Sequence, residues 1–350
     1  MTRRLPPEWA PQDGVLLTWP HPRTDWADQL PAVERTYVEI ALTICRHERL
    51  LIVAFDAIHA DEISKQLLSA GLSPAQFQFA LAPSNDTWTR DHGPITVLQS
   101  NQPVLLNFQF NGWGNKYECN LDNAITSTLC HQGLFGGTRS EPVDLVLEGG
   151  SIESDGEGSL LLTESCLLAP DRNSCLSKSA LETKFRDLLG TQRCLWLDVD
   201  PLRGDDIDGH IDTLARFCDS RSIAYVQCPD AGDEHFESMS RLEAQLQALR
   251  TPDGKVYRLV PLPWPAAKYG RDGQRLPATY ANFLIINGAV LVPTYGDAAD
   301  AVALATLARC FPDRGIVGID CSTLIQQNGS LHCITMQLPA GVLNTTTALE

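Results

Sequence analysis

No stretch of this 350-residue chain approaches the roughly 18 consecutive apolar residues that a membrane-spanning helix needs. Two arginines near the N-terminus have no apolar run behind them, so MTRRLPPEWAPQDG does not read as a secretory signal. Basic residues are scarce: 27 Lys and Arg stand against 43 Asp and Glu, a formal charge of −16. With no basic cluster, a nucleic-acid partner is not expected. The eleven cysteines contain no Cys-x-x-Cys pair, and their odd count and irregular spacing argue against a structural zinc. No Gly/Ser linker or low-complexity segment divides the chain. These absences favour a cytoplasmic protein without a membrane partner, its cysteines mostly reduced, buried small hydrophobes.

What is present belongs to a globular enzyme, with 43% apolar and 20% charged residues. The length exceeds the ~250–300 residues at which one core usually stops growing. Nothing marks a boundary, however, and residues 1–350 read as one domain. Apolar residues recur at helical steps in Pro31–His47, Asp61–Ala70, Ser179–Leu189, Glu234–Leu249 and Asp297–Phe311. Ser179, with Glu182 three residues on, looks like a capping box. Between the helices lie short apolar or alternating runs: Val15–Trp19, Leu50–Phe55, Phe77–Leu81, Val104–Phe110, Asp144–Glu148, Ser159–Thr163, Ile223–Cys228, Tyr257–Leu262, Asn282–Asn287 and Ile316–Ile319. Asp155–Gly158 reads as a hairpin turn. Strands outnumber helices about two to one, which suits an α/β fold of several small units, each with a few strands and one helix.

Five segments are dense in polar residues flanked by glycine, as strand-end loops of an active site tend to be: NDTWTRDHGP (85–94), NFQFNGWG (107–114), EGGSI (148–152), GDDIDGHIDT (204–213) and NGSLHCIT (328–335). If Gly209–Phe217 is a strand, His210 and Asp212 leave one face and form a tuned acid–base pair. Cys333 sits in a short apolar strand after a glycine turn and offers a thiol. Asp91 and Glu148 lie beside Gly-Pro and Gly-Gly, where backbone can approach a ligand. One thiol, one histidine and three carboxylates carry more negative charge than proteolysis wants. They suit a planar cation that donates several N–H bonds, with guanidinium the obvious one, attacked by a thiolate. Bland roles stand beside this reading: turn or cap positions for Asp205, Asp206 and Asp208, and anchoring for Trp88 and Trp113. A calcium loop at Asp205 fails, because its twelfth place is Arg216. Arg90 reads as an internal ion-pair partner of Asp91, and His332 as a structural neighbour.

Pro6-Pro7-Glu8-Trp9, Thr18-Trp19-Pro20, the five segments, Asn282-Phe283 with Asn287-Gly288, and Phe311-Pro312 with Arg314–Ile319 follow one another along nearly the whole chain. In that order they resemble the agmatine deiminase family of the guanidino-group-modifying pentein superfamily. The resemblance implies a five-bladed α/β propeller with pseudo-fivefold symmetry. It implies Cys333 as nucleophile and His210 as general acid/base, with Asp91 and Asp212 holding the guanidinium nitrogens. Glu148 would support His210, and Trp88, Trp113 and Asp206 would flank the substrate. No metal or organic cofactor is implied. The substrate implied is agmatine, giving N-carbamoylputrescine and ammonia in putrescine biosynthesis, and relatives are commonly homodimers. Peptidyl-arginine deiminases share the core motifs. A degenerate cation-binding relative and an amidinotransferase are the remaining readings. The chain departs from the family pattern at Ser330, at Met336 and in the loop Gly114–Leu121, and these departures bear on substrate fit.

Overall fold

The structure, a computed structural model, describes residues 3–343. In chain order the main elements are β1 (Gln12–Thr18), α1 (Leu30–Ile44), β2 (Arg49–Ala54), α2 (Ala57–Ser69), β3 (Phe77–Leu81), β4 (Ile95–Gln99), β5 (Gln102–Gln109), α3 (Asn120–His131) and β6 (Arg139–Val146). There follow β7 (Ile152–Ser154), β8 (Ser159–Thr163), α4 (Lys178–Leu189), β9 (Arg193–Leu197), β10 (Ala215–Asp219), β11 (Ser222–Val226), α5 (Phe236–Ala248) and β12 (Arg258–Leu262). The chain closes with β13 (Leu284–Ile285), β14 (Ala289–Thr294), α6 (Asp300–Cys310), β15 (Gly315–Asp320) and β16 (Thr335–Pro339).

Parallel neighbours need a long crossover, whereas antiparallel ones can be joined by a tight turn. Both devices recur here in one order. A strand pairs antiparallel with a central strand, a helix crosses over, and a third strand returns parallel. The units β4–β5–α3–β6, β7–β8–α4–β9, β10–β11–α5–β12 and β13–β14–α6–β15 all follow it. A further unit joins the two ends of the chain. There β16 lies antiparallel to β1, α1 crosses to β2, and α2 adds β3 in parallel. Central strands such as SLLLT and SIAYV are buried along their whole length, which is why they read as continuous apolar runs. The helices cover the sheets with one stripe each: α1 buries Val33, Tyr37, Ile40, Ala41 and Ile44. Among the described residues no helix is long and apolar enough to cross a membrane.

Several local expectations change. Helix α3 is an addition to the five expected helices, and its inward face buries Asp122 and Thr126 beside Ile125 and Leu129. Ser177, not Ser179, caps α4 by accepting from the Ala180 amide at 3.2 Å. Glu182 is drawn away to the Trp196 indole at 2.8 Å. The run Asn282–Asn287 keeps ladder pairing only at Leu284–Ile285. Gly209–Phe217 is not one strand: Ile211–Thr213 form a 3-10 turn and β10 begins at Ala215. The Thr213 hydroxyl donates to the His210 carbonyl at 2.9 Å and fixes that turn. Asp155–Gly158 does join an antiparallel pair, with the Asp155 carboxylate accepting from the Glu157 and Ser159 amides at 2.8 Å each.

Candidate active site

Each unit contributes a polar residue or segment just before its antiparallel strand. Trp88–Gly93 precedes β4, Glu148–Ser151 precedes β7, His210–Leu214 precedes β10, Asn282 precedes β13 and Leu331–Ile334 precedes β16. The thiol therefore sits in a turn at the foot of a strand, not within the strand expected from His-Cys-Ile-Thr. The Cys333 carbonyl accepts from the Arg90 amide at 3.0 Å, which ties two of the segments together.

A cavity of about 360 Å³ opens over them, within the usual size of a small-molecule site. Trp88, Asp91, Trp113, Asp206 and Cys333 line it. His210, Asp212 and Glu148 lie behind that lining and are wholly buried. Asp91 is clamped on both oxygens: Oδ1 accepts from the Gly150 amide at 3.0 Å and Oδ2 from the Trp113 indole at 2.9 Å. His210 Nδ1 is 3.6 Å from Asp91 Oδ1, and Nε2 is 4.0 Å from Glu148 Oε2. Cys333 Sγ is 3.8 Å from Asp212 Oδ2 and 3.4 Å from Asn282 Oδ1. A methyl on Gly150 would lie 2.7 Å from His210 Nδ1, 2.9 Å from Asp91 Oδ1 and 3.1 Å from Asp212 Oδ2. Only glycine leaves those three groups facing one space. Gly329 serves likewise, since a methyl there would strike the Trp88 ring at 2.1 Å. Among the described residues, both His210 ring nitrogens and Asp212 Oδ1 are buried without a hydrogen-bond partner of ordinary geometry, and a ligand could engage them.

Burial dominates the electrostatics here. It raises the Asp91 carboxyl to about 6; Asp212 and Glu148 add to the rise, against His210 and the Trp113 hydrogen bond. Burial acts to lower His210, but Asp91, Cys166 and Glu148 overcome it and hold the ring protonated well above the usual histidine range. Burial likewise works against ionised Asp212, yet the His332 hydrogen bond and the charges of His332, His210 and Arg216 keep it below the usual range. The Cys333 thiol is pushed well up by burial and by Asp212 and Asp91. The resting pair is thus thiol and imidazolium. A cation held between Asp91 and Asp212 removes part of the penalty on the thiolate.

His332 is a positioning neighbour. Its Nδ1 lies 2.8 Å from Asp212 Oδ2 and its Nε2 2.8 Å from Glu8 Oε1. Burial, Arg216 and Arg90 push its pKa down and the two carboxylates oppose them, yet bridging both carboxylates requires both N–H groups. That protonated bridge is also what the low Asp212 pKa depends on. Arg90 does not pair with Asp91; it reaches Glu8 at 3.2 Å and also bonds Gln337. Met336 packs on Arg90, with Sδ 3.6 Å from Nη1, so this departure lies outside the cavity. Ser330 bonds the Tyr295 hydroxyl at 3.1 Å. Tyr117 and Glu118, in the third departure, do line the cavity. Asp206 accepts from Tyr117 at 2.5 Å and Asn328 at 3.1 Å, both on the rim.

Asn282, Arg172, Tyr117 and Asn328 went unassigned in the sequence. The signal for Asn282 is positional: it occupies in its unit the place that Asp91, Glu148, His210 and Cys333 occupy in theirs. Glu148, Cys166 and His210 present ligand atoms within 4.8 Å of one another, a grouping that could hold a metal. Arg172, however, engages both Glu148 oxygens, at 2.9 and 3.1 Å, as an ion pair.

Comparison with known proteins agrees with this geometry. A family model described as Porphyromonas-type peptidyl-arginine deiminase matches residues 4–339. A crystal structure from Porphyromonas gingivalis, provisionally named an arginine deiminase, is 50% identical and covers 98% of this chain and 100% of its own, with a TM-score of 0.91. Agmatine deiminase from C. jejuni, solved with substrate bound, is 35% identical over 96% of each chain, with a TM-score of 0.89. A Vibrio parahaemolyticus protein, provisionally named an agmatine deiminase, is 31% identical over 358 residues, 96% of each chain.

Proposed function

Because the chain belongs to the Porphyromonas-type peptidyl-arginine deiminase family and is a hydrolase of guanidino carbon–nitrogen bonds, we propose that its substrate is agmatine, converted to N-carbamoylputrescine and ammonia. The observation that carries the choice is the cavity lining. Among the described residues, Asp25, Asp91, Glu118 and Asp206 line it against one cationic side chain, Arg23, while burial raises the neighbouring Asp86 and Asp122 carboxyls to about 7 and about 8. Agmatine carries a second positive charge where free arginine carries an added carboxylate, so the wall favours agmatine.

In the proposed course Asp91 and Asp212 hold the guanidinium nitrogens and Trp88 and Trp113 flank its plane. As the cation binds, the Cys333 thiol releases its proton to solvent; the thiolate attacks the central carbon, and ammonia leaves with a proton from His210. The S-alkylthiouronium that remains is hydrolysed by a water that gives its proton to His210; the thiolate departs and the ureido product is released. Glu148 supports His210 throughout. The five strand–helix units support a five-bladed propeller with pseudo-fivefold symmetry, acting as a single catalytic domain. A cytoplasmic setting, where the eleven cysteines would stay reduced, completes the proposal.

A second reading, peptidyl-arginine, draws on the description of the matching family model. An acidic mouth attracts a basic peptide too. The test is side-by-side kinetics on agmatine, free arginine and a peptide with an internal arginine, reading ammonia and ureido product. Agmatine should show the highest kcat/KM. A higher value for the peptide replaces agmatine with the second reading and leaves the residue roles unchanged.

The pH dependence follows from the same groups. Below about 6 Asp91 takes up a proton and cannot pair with a cation. At high pH His210 loses the proton it must donate. A bell-shaped kcat/KM profile is therefore expected, with limbs belonging to the coupled set. A profile flat from acid to alkaline pH removes His210 from its role.

A further inference from the structure

We infer that Arg172 is a positioning residue that joins the rim of the cavity to the acid–base centre, holding Glu148 and the loop that delivers His210. The inference rests on the guanidino-hydrolase reading above, but not on the choice of substrate.

Arg172 lies on a short turn after β8, and its side chain is fully buried. Its guanidinium makes three kinds of contact. Nε donates to both oxygens of Glu148, at 2.9 and 3.1 Å. Nη1 donates to Asp208 Oδ2 at 2.6 Å, and Nη2 to the Ile207 carbonyl at 3.0 Å. Residues 207 and 208 lead directly through Gly209 into His210. Asp208 takes a left-handed backbone, φ 70°, a conformation that a non-glycine residue holds only when its surroundings fix it.

Asp208 carries the connection outward. Lys116 Nζ reaches both its oxygens, at 2.8 and 2.9 Å, and the Asp206 carbonyl at 2.6 Å. Tyr117, next in sequence, bonds the Asp206 carboxylate, and Trp113 on the same loop bonds Asp91. Two rim loops are thereby latched, and Arg172 ties that latch to Glu148. A planar fork with fixed donor directions can do this; an ammonium cannot reach all three partners at once.

Charge makes the second half of the argument. Glu148 is faced by Arg172, His210, Cys166 and Asp91; Arg172 is faced by Glu148, Asp208, Cys166 and, at 3.7 Å, Asp171. Removing the guanidinium takes a cation out of the buried cluster of Asp91, Glu148 and His210, which makes the negative charge of that cluster costlier to hold. The acidic limb of the pH profile should then move to higher pH.

The test uses the full-length enzyme and three variants. Arg172→Met should lower kcat/KM by about a hundredfold, the scale of a reacting group misplaced by an ångström, and shift the acidic limb upward. Arg172→Lys keeps the charge and loses the fork, so kcat should fall while the limb stays in place. Asp208→Asn, at a half-exposed position that tolerates the change, should raise KM more than it lowers kcat. Amide hydrogen exchange in residues 204–210 should quicken in both Arg172 variants. If Arg172→Met fails to fold, Arg172→Lys and Asp208→Asn carry the test. Folded Arg172 variants with normal kcat, normal exchange and an unmoved limb overturn the inference, and so does an equal limb shift in the Lys and Met variants. If the unaltered enzyme turns over no guanidine, the function reading fails; unchanged exchange in residues 204–210 would then overturn the Arg172 assignment on its own.

Discussion

Cys333→Ala or Cys333→Ser should abolish turnover while the protein stays folded. Only this cysteine lines the cavity, and its sulfur faces Asp212 at 3.8 Å and Asn282 at 3.4 Å. Cys166 approaches His210 from behind but is buried beside Glu148 and Arg172, away from the cavity. Cys175 is exposed and is not among the residues that line the cavity. Loss of a covalent nucleophile removes about six orders of magnitude in rate where it has been measured in a serine hydrolase. The fold should tolerate the change, because either substitution is close in size to the thiol and costs about 1 kcal/mol. Two measurements check this: steady-state ammonia release, and mass-spectrometric mapping of a haloacetamidine label. Label should attach at Cys333. Appreciable turnover in a folded Cys333→Ala variant would end the thiol mechanism.

Asp91→Asn and Asp212→Asn should each lower kcat/KM by at least about a hundredfold, since losing one partner of a buried charge pair costs about 2–5 kcal/mol. The loss exceeds that of charge alone. Both Asp91 oxygens accept from N–H donors, Gly150 and Trp113, so an amide NH₂ must face one donor with another. Asp212 Oδ2 similarly receives His332, while Oδ1 is left for a ligand. Thermal melts on the same samples separate misfolding from lost function. Near-normal kinetics in both folded variants would require withdrawing the guanidinium clamp.

The residues that gather at the cavity were legible because they stand beside glycines. Asp91, Glu148, His210, Asp212 and Cys333 each stand in a short polar run, and such runs mark loops where backbone and ligand meet. The local shape of those runs was less legible. His210 and Asp212 do converge, but through a 3-10 turn held by Thr213, because a side-chain hydrogen bond outweighed alternation. Helix α3 was hidden for a related reason. Its buried Asp122 accepts from the Asn85 and Asp86 amides, at 2.7 and 3.2 Å, and props the loop that carries Trp88. A hydrophobic pattern cannot register a buried carboxylate whose partner lies 37 residues away.

By itself, then, the sequence determined which groups this protein has for chemistry and the class of cation they suit. Covalent residue types and local turn chemistry are properties of short segments. Only the tertiary structure decided which groups meet. The β16–β1 pairing brings Cys333, near one end of the chain, against strands from the other. Arg90 exchanged its neighbour Asp91 for Glu8, Asn282 came under the thiol, and Arg172 came between Glu148 and Asp208. Each of these contacts joins segments dozens to hundreds of residues apart, and their distances depend on how strand–helix units pack together, which no local pattern encodes.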